Sequence, residues 1–322
     1  MEADKQFLSK KRPQITQIRR YVPKDLEAVK ILLQSLAKEY NDEFNEYFFK
    51  SMMQVRTLDT SVGTFVAEYE GHVKGTLFAD TERDPRGVLH GRISNVIVSK
   101  DFQGKGIGSA LVDEGIGFLS LFSIPAIWAN VNTNNKEMMK MFEKRDFNKY
   151  FVVMEKYLDP FSLPPTIKLD QSPIRYRSVV ERDLRDIKSL VQELAQVLSV
   201  EFDTYWFDLT VQKYFQDPTS SIFIAEKGGK ILGTTFADVR RDPLGYMYGM
   251  ISNIIIGEDA RGQGVGSNLL ELATSFLSKL KIQKIWGNVN YGNENMIHVY
   301  EKQGYEHKFT VMKKLTSLET GC

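Results

Sequence analysis

Residues 93–110 read ISNVIVSKDFQGKGIGSA, and residues 251–268 read ISNIIIGEDARGQGVGSN. The two segments lie 158 residues apart; nine of their 18 positions are identical, and several others exchange Val for Ile. Each begins as an apolar strand rich in β-branched residues, continues into a glycine-rich turn, and leads into apolar residues at helical spacing. The sequence therefore predicts a strand, a tight turn and a helix twice over.

The repeat extends far beyond these segments. The same offset aligns the chain with itself without a gap from about residue 16 to residue 156, and it pairs Trp128 with Trp286. It also pairs the Arg-Asp-Pro sequences at 83–85 and 241–243. A solenoid unit usually has about 20–50 residues, so this period indicates a duplicated domain. We expect domains over 14–158 and 174–316, joined by a semi-rigid linker over 159–173, because residues 158–173 hold four of the ten prolines.

Each copy predicts the same order of elements, β-α-α-β-β-β-α-β-α-β. A helix is expected to begin near Asp25, and hairpin turns are expected at Glu70-Gly71 and Gly228-Gly229. The alternation of strands and helices indicates a mixed α/β domain.

The composition excludes several classes of function. With 322 residues, 42% hydrophobic and 26% charged, the chain is typical of a soluble globular protein. A net charge of +1 gives no excess of cations for nucleic acid, and the single cysteine, Cys322, excludes disulfide frameworks and cysteine-based metal sites. We expect no metal, no membrane span and no secretory signal, hence a cytoplasmic protein; secretion by a signal-less route, as for an effector, stays open.

The glycine turns at 103–109 and 261–267 predict an anion site. Glycine lets the backbone turn sharply, and the free N–H groups of the following helix favour phosphate or pyrophosphate. Neither turn ends in the Lys-Ser/Thr of a Walker A loop, and neither has the spacing or position of a dinucleotide fingerprint. A purely structural turn between strand and helix is the remaining alternative.

Over nearly its whole length, twice, the chain resembles the GCN5-related N-acetyltransferase (GNAT) family, in the two-domain layout of bacterial members. Both glycine turns match the family's Q/R-x-x-G-x-G/A loop for acyl-CoA. After the fifth strand the family has N-x-x-A and L-Y-E-K-x-G-[FY]; here residues 293–296 read NENM and residues 299–305 read VYEKQGY. The resemblance implies an α/β (α+β) fold of two tandem domains, each with a mixed, mostly antiparallel sheet flanked by helices. It also implies acetyl-CoA as co-substrate and an amine acceptor: a small amine, an amino sugar, or a lysine or N-terminus of a protein.

The resemblance also implies roles for particular residues. Main-chain groups of the fourth strand would contact the pantetheine arm, the glycine turn would hold the pyrophosphate, an asparagine would contact the arm, and Tyr300 would protonate the departing thiolate. In the second copy the cofactor-binding residues are Ile254, Ile256, Arg261, Gly262, Gln263, Gly264, Val265, Gly266, Ser267 and Asn293. Their equivalents in the first copy are Val96, Val98, Gln103, Gly104, Lys105, Gly106, Ile107, Gly108, Ser109 and Asn135.

The two copies differ at the proposed acid. The first has Phe142 in place of Tyr300 and Asp146 in place of Gly304, so it has no hydroxyl to donate. The alternative role for Tyr300 is that of an aromatic side chain that packs on the buried face of its helix and takes no part in catalysis. Four lysines of the first copy stand where the second has no lysine, which predicts tight binding of acetyl-CoA. These lysines are Lys100, Lys105, Lys136 and Lys140. The missing hydroxyl predicts poor turnover.

The general base and the acceptor are the open parts of this interpretation. The carboxylate candidates for the base are Asp238, Glu201 and Asp203, and the histidine candidates are His298 and His307. The acidic and aromatic stretches at 43–49 and 201–207 could attract a cationic or sugar-like amine. The alternative function is a non-catalytic module that binds acyl-CoA or protein, built from two GNAT folds.

Overall fold

A computed structural model describes residues 17–40, 42–83, 89–159, 173–197, 201–242 and 244–316. Several features predicted from the sequence lie outside these ranges: the N-terminal segment, the linker over 160–172, Asp84, Pro85, Pro243 and Cys322. Among the described residues, no helix is long and apolar enough to cross a membrane. The same residues contain no group of three or more His, Cys, Asp or Glu that could hold a metal ion.

The chain divides into two compact units, Met1–Asp80 with Ile93–Phe122, and Thr81–Arg92 with Ser123–Cys322. The first unit has the strand order β1-β2-β3-β4, and the outer ends of β3 and β4 belong to the second unit. Leu33, Phe49, Phe78 and Leu111 are fully buried in it. Its elements are β1 (Gln17–Arg20), α1 (Leu26–Glu39), α2 (Glu46–Leu58), β2 (Val62–Tyr69), β3 (His72–Arg83), β4 (Leu89–Val98) and α3 (Ile107–Leu119).

The second unit contains a sheet with the strand order β5-β12-β6-β11-β10-β9-β8-β7. One apolar cluster packs α7 and α8 against Ile251 and Ile285, and another packs α5 and α6 against Ile222 and Phe236. The elements are β5 (Ala126–Asn132), α4 (Lys136–Glu143), β6 (Asn148–Tyr157), β7 (Arg175–Ser178), α5 (Leu184–Val197), α6 (Thr204–Gln216), β8 (Ser220–Lys227), β9 (Lys230–Arg241), β10 (Met247–Ile256), α7 (Val265–Lys279), β11 (Lys284–Asn290), α8 (Glu294–Lys302) and β12 (Glu306–Leu315). The predicted order of elements and the mixed, mostly antiparallel sheet flanked by helices are confirmed.

The last strands of the two repeats are exchanged. β6, from the first repeat, lies antiparallel to β11 and β12 of the second, and β12 lies antiparallel to β5 of the first. β6 is buried on both faces through the run from Phe151 to Met154, as expected for a central strand. The second compact unit therefore includes the last part of the first repeat. The repeat boundaries near residues 158 and 174 stay a prediction.

An ion triad at the start of each repeat fixes the entry into its first helix. Arg177 donates to both carboxylate oxygens of Asp183, at 2.6 and 3.0 Å, and to Glu226. Asp183 also accepts from the main-chain N–H of Val180 at 2.8 Å. Arg19, Asp25 and Glu68 form the same triad in the first repeat. The sequence predicted Asp25 near the start of its helix, but not its partners in the triad.

Arg177→Met is expected to lower the free energy of unfolding by about 2 kcal/mol, because it leaves the buried carboxylate of Asp183 without its hydrogen-bonding cation. The hydrogen bond from Arg177 lowers the pKa of Asp183 below its ordinary value. Stabilisation from this group is therefore complete above the ordinary aspartate pKa of about 4 and is lost as the pH falls through the folded-state pKa. Urea unfolding of both proteins between about pH 7 and pH 2.5 measures this. A stability difference that stays constant with pH would assign the loss to packing instead.

Candidate functional site

β10 and β11 run in parallel for only three residue pairs and then separate. Residues 249–251 pair with residues 285–287. Beyond them β10 has a bulge between Ser252 and Ile255, with φ of +51° at Asn253. β11 instead continues in register with β6 as far as Asn290. The two strands thus form an opening, which we call the fork, between residues 252–256 and 288–290.

Within the described part of the chain, two polar side chains of β10 at the fork have atoms without a hydrogen-bond partner. Ser252 Oγ and Asn253 Nδ2 are buried and have no hydrogen-bond partner among the described residues. Ile254 and Ile256 pack their side chains on the cluster beneath α7, so only their main chain could contact a ligand, and the carbonyl of Ile256 already accepts from Arg261. The bulge interrupts the regular pairing of β10 with β9 where the neighbouring strand β11 diverges.

The glycine turn of the second repeat leads directly from β10 into α7. Gly262 and Gly264 have φ of +74° and +78°, and a Cβ on either would meet nothing within 4 Å. Gly264 is the N-cap of α7, so no capping side chain covers the first N–H groups of the helix. Val265 is buried, and it can contribute only its main chain to a ligand. The arrangement forms an open cradle of N–H donors for an anion.

Side chains of the turn fix its shape. Arg261 donates through Nε to the carbonyl of Ile256 at 3.3 Å, and Gln263 donates to the carbonyl of Asp259 at 2.7 Å. Arg261 keeps 64% of its side chain exposed. Gly266 and Ser267 follow in the first turn of α7. The guanidinium, which pairs with the exposed Glu258 at 3.5 Å, lies beside the cradle, where it could also contact a phosphate group.

α8 brings Asn293 and Tyr300 to this region. Asn293 is the N-cap of α8 and accepts from the N–H of Met296 at 3.1 Å, so its Oδ1 already has a structural role. Gln303, which the sequence analysis missed, ends the helix and donates to the carbonyl of Ser267 at 2.8 Å. This bond ties the end of α8 to the first turn of α7.

Tyr300 is fully buried, and its hydroxyl has no partner among the described residues. The hydroxyl lies against Gly287, where a Cβ would be only 2.3 Å from Oη. Gly287 is also the last residue of β11 that pairs with β10, so the hydroxyl lies at the fork. Burial, with a contribution from Tyr305, raises the pKa of Tyr300 well above its ordinary value. The group is therefore a protonated donor at neutral pH.

The first repeat has the same turn geometry. Gly104 and Gly106 have φ of +71° and +86°, and Gln103 donates to the carbonyl of Val98 at 3.0 Å. Gly106 is the N-cap of α3, Ile107 is buried at its start, and Lys105 donates to the carbonyl of Asp101 at 2.5 Å. The remaining predicted residues of the first unit are placed by their elements: Val96 on β4, and Gly108 and Ser109 in the first turn of α3.

Helix α4, which lies in the second unit, resembles α8 in its cap and packing and differs from it at the position of Tyr300. Asn135 caps α4 through the N–H of Met138 at 2.9 Å, as Asn293 caps α8. Phe142 is buried and stacks edge-on against Phe147, as Tyr300 does against Tyr305. Its helix therefore packs in the same manner without a hydroxyl.

The base candidates are held in other interactions or exposed. Asp238 accepts from Tyr214 and from Arg240, both at 2.6 Å. Asp203 caps α6 through the N–H of Trp206 at 2.9 Å. His307 lies 3.1 Å from the carbonyl of Phe309, and burial lowers the pKa of its imidazole. Glu201 and His298 are exposed.

A polar and aromatic cluster that the sequence analysis missed lies on the sheet face opposite Tyr300. The ring of Trp286 packs at a tilt against Tyr248, with centroids 4.2 Å apart, and its Nε1 donates to Glu155 of β6 at 2.6 Å. Lys308 pairs with the same buried carboxylate at 3.1 Å. Only the exchange of strands brings Glu155 to the second repeat, so this contact could not be predicted from the sequence.

Comparisons with known proteins agree with this geometry. The family model described as the acetyltransferase (GNAT) family matches the chain twice, over residues 29–147 and 187–305. A GCN5-related N-acetyltransferase from Sphaerobacter thermophilus superposes with a TM-score of 0.67 at 19% identity, covering 93% of this chain and 95% of that one. A tandem GNAT protein from the clavulanic acid biosynthesis pathway gives 0.57 at 14% identity, covering 93% and 98%.

A glucosamine N-acetyltransferase region of a fungal multi-domain β-N-acetylglucosaminidase gives a TM-score of 0.62 at 16% identity, covering 92% of this chain and 38% of that one. No curated protein matches the sequence. At these identities the structural similarities establish the fold alone.

Proposed function

The chain belongs to the acetyltransferase (GNAT) family, and from that membership we propose that it transfers an acetyl group from acetyl-CoA to a primary amine. The second repeat is the catalytic one in this proposal. The observation that carries it is the buried hydroxyl of Tyr300, which has no hydrogen-bond partner among the described residues and lies where β10 and β11 separate. An unpartnered polar group at full burial is costly unless a ligand completes its bonding.

The residues of the second repeat fit acetyl-CoA along its length. The cradle formed by Arg261, Gly262, Gln263, Gly264, Val265, Gly266 and Ser267 would hold the pyrophosphate. The main chain of Ile254 and Ile256 would hold the pantetheine arm, with one N–H polarising the acetyl carbonyl. Asn293 would contact the arm through Nδ2, because its Oδ1 already caps α8.

Acetyl-CoA, when bound, supplies the activated acetyl group that the amine attacks directly. Tyr300 holds a proton at Oη, which its raised pKa keeps in place until the sulfur leaves as a thiolate. Asp238 is neutralised by Arg240 and bonded to Tyr214, so it is a weaker candidate for the base than an unpaired carboxylate would be. The base is therefore not assigned to a side chain.

For the first repeat we propose acetyl-CoA binding without efficient turnover. Its glycine turn has the same left-handed glycines as the second, and Phe142 offers no proton. Val96, Val98 and residues 103–109 would take the roles of their equivalents. The lysines at 100 and 105 would favour the phosphates of the ligand.

Release of free thiol from acetyl-CoA tests the activity. Purified full-length protein is incubated with small amines, amino sugars and lysine peptides, and thiol is measured against each amine alone. Turnover with at least one amine, with the acetylated amine identified by mass, supports the enzyme. Calorimetric binding of CoA without thiol release from any acceptor would favour the non-catalytic module.

Matched glycine variants separate the two repeats. Valine at a φ near +80° is strained, so Gly264→Val is expected to weaken CoA binding in the second repeat roughly tenfold and to lower thiol release with it. Gly106→Val should weaken CoA binding in the first repeat by a similar factor and leave thiol release near the wild-type rate. Isothermal titration should resolve two sites in wild type. A single site, lost only in Gly264→Val, would contradict binding by the first repeat.

A further inference from the structure

The catalytic helix proposed for the second repeat ends against a lysine of the first repeat. Lys156, on β6, donates through Nζ to the carbonyl of Gln303 at 2.5 Å. That carbonyl belongs to the C-cap of α8, where main-chain acceptors have no partner within the helix. A cation at this end also interacts favourably with the helix dipole. The exchange of strands alone places this lysine here.

The contacts of Lys156 lead directly to Tyr300. Its Nζ lies 5.5 Å from the ring centre of Tyr305, which packs edge-on against Tyr300 at 4.9 Å. The N–H groups of Gln303 and Tyr305 both donate to the carbonyl of Tyr300, at 3.0 and 3.1 Å. The chain end that Lys156 holds is therefore bonded to the residue that carries the proposed acid.

The residue that carries this carbonyl, Gln303, also joins α8 to the cofactor turn through its side chain. Gln303, whose main chain accepts from Lys156, donates its side-chain amide to the carbonyl and hydroxyl of Ser267, at 2.8 and 3.1 Å. Ser267 lies in the first turn of α7. Lys156 is half-buried, and burial lowers the pKa of its ammonium. Lys156 therefore lies where the end of α8, the helix that carries Tyr300, meets the turn that would hold the phosphates.

The other repeat contains an equivalent contact without an acid to position. Lys314, on β12, donates to the carbonyl of Arg145 at 2.7 Å, just beyond the end of α4. α4 carries Phe142 in place of Tyr300. The duplication therefore provides a control for Lys156: a lysine bonded to the same type of helix end without a hydroxyl, although Lys314 also pairs with Asp146 at 3.3 Å.

We propose that Lys156 is a positioning residue for Tyr300, so that the first repeat completes the active site of the second through its exchanged strand. The inference rests on the proposed function of the second repeat. Lys156 touches no reacting atom; it holds the end of α8 so that the hydroxyl stays at the fork. A displacement of about 1 Å at such a group lowers a rate by up to about 100-fold.

The test compares Lys156→Met with Lys314→Met in the full-length protein. Lys156→Met is expected to lower kcat about tenfold with KM for the amine within about twofold, whereas Lys314→Met leaves kcat within about twofold of wild type. Both should lower the melting temperature by similar amounts. Lys156→Arg keeps a cation for the carbonyl and should recover most of kcat.

A second measurement distinguishes positioning from general destabilisation. In the Tyr300→Phe background, Lys156→Met should cause no further loss of kcat, because the group it positions is gone. An equal loss of kcat in both lysine variants, or a full further loss in the Tyr300→Phe background, would overturn the positioning role. If Tyr300→Phe itself retained the wild-type kcat, the proposed general acid would fail, and with it this role. The two failures are thus told apart.

Discussion

Tyr300→Phe is expected to lower kcat for acetyl transfer about 100-fold, the usual contribution of a positioned general acid. The substitution removes one oxygen atom that has no partner among the described residues, so it breaks no hydrogen bond of the folded protein there. Phe142 occupies the equivalent position of the first repeat and packs against Phe147 in the same edge-on geometry. Stability should therefore be unchanged or slightly higher, and the effect should fall on the chemical step.

Steady-state thiol release and calorimetric CoA binding measure this effect separately. The dissociation constants for CoA should stay within about twofold of wild type, while kcat falls. Because burial raises the pKa of Tyr300, its hydroxyl stays protonated between about pH 6 and pH 9, and its loss should lower kcat by a similar factor across that range. An unchanged kcat would mean that a water or the first repeat supplies the proton. That result would overturn the division of roles between the repeats.

The parts of the site that are local in sequence could be predicted from it. Glycines between an apolar strand and a helix predict a tight turn with positive φ, and both glycine turns occur where expected, with φ near +75°. The bulge that separates β10 from β11 centres on Asn253, one of the few residues besides glycine at positive φ, within a segment the repeat already singled out. The tyrosine-to-phenylalanine difference between the repeats was likewise visible, because the alignment needed no gap.

The exchange of strands could not be predicted. β6 and β12 have similar burial patterns, each with a continuous buried run in its middle, so both sequences fit a central strand beside β5 or β11. Such a run indicates that a strand is central but not which strand is its neighbour. Glu155 and Lys156 reach the second repeat only through this pairing, and therefore they gave no signal in the sequence.

Gly287→Ala is expected to lower the free energy of unfolding by about 3 kcal/mol, the upper range for overpacking a buried site. The new Cβ would lie 2.3 Å from both Oη and Cε1 of Tyr300. Neither side can yield easily. β11 is held by β10 and by β6, and Tyr300 is fully buried against Tyr305. Any movement that relieves the contact must also displace the hydroxyl from the fork, so kcat should fall with stability.

The first repeat indicates how the contact is relieved. At the positions equivalent to Gly287 and Tyr300 it has Ala129 and Phe142, both buried. Glycine thus stands opposite the residue with a hydroxyl, and alanine opposite the residue without one. Adding Tyr300→Phe to Gly287→Ala removes Oη and lets the ring shift, so the double variant should regain about 1.5 kcal/mol of the lost stability. Its kcat should stay at the level of Tyr300→Phe alone.

Urea unfolding and thiol release of the wild type, both single variants and the double variant complete this cycle. Ala129→Gly in the first repeat is the control, expected to cost roughly 1 kcal/mol for glycine within a strand and to leave kcat near the wild-type value. If the Gly287→Ala variant had the stability and the kcat of wild type, the ring of Tyr300 could not lie against β11 at the fork. If stability returned in the double variant together with kcat, Gly287 would make room for the ring alone, and the hydroxyl would have no part in catalysis. If stability recovers but kcat does not, Gly287 makes room for the hydroxyl of Tyr300, and that hydroxyl takes part in catalysis.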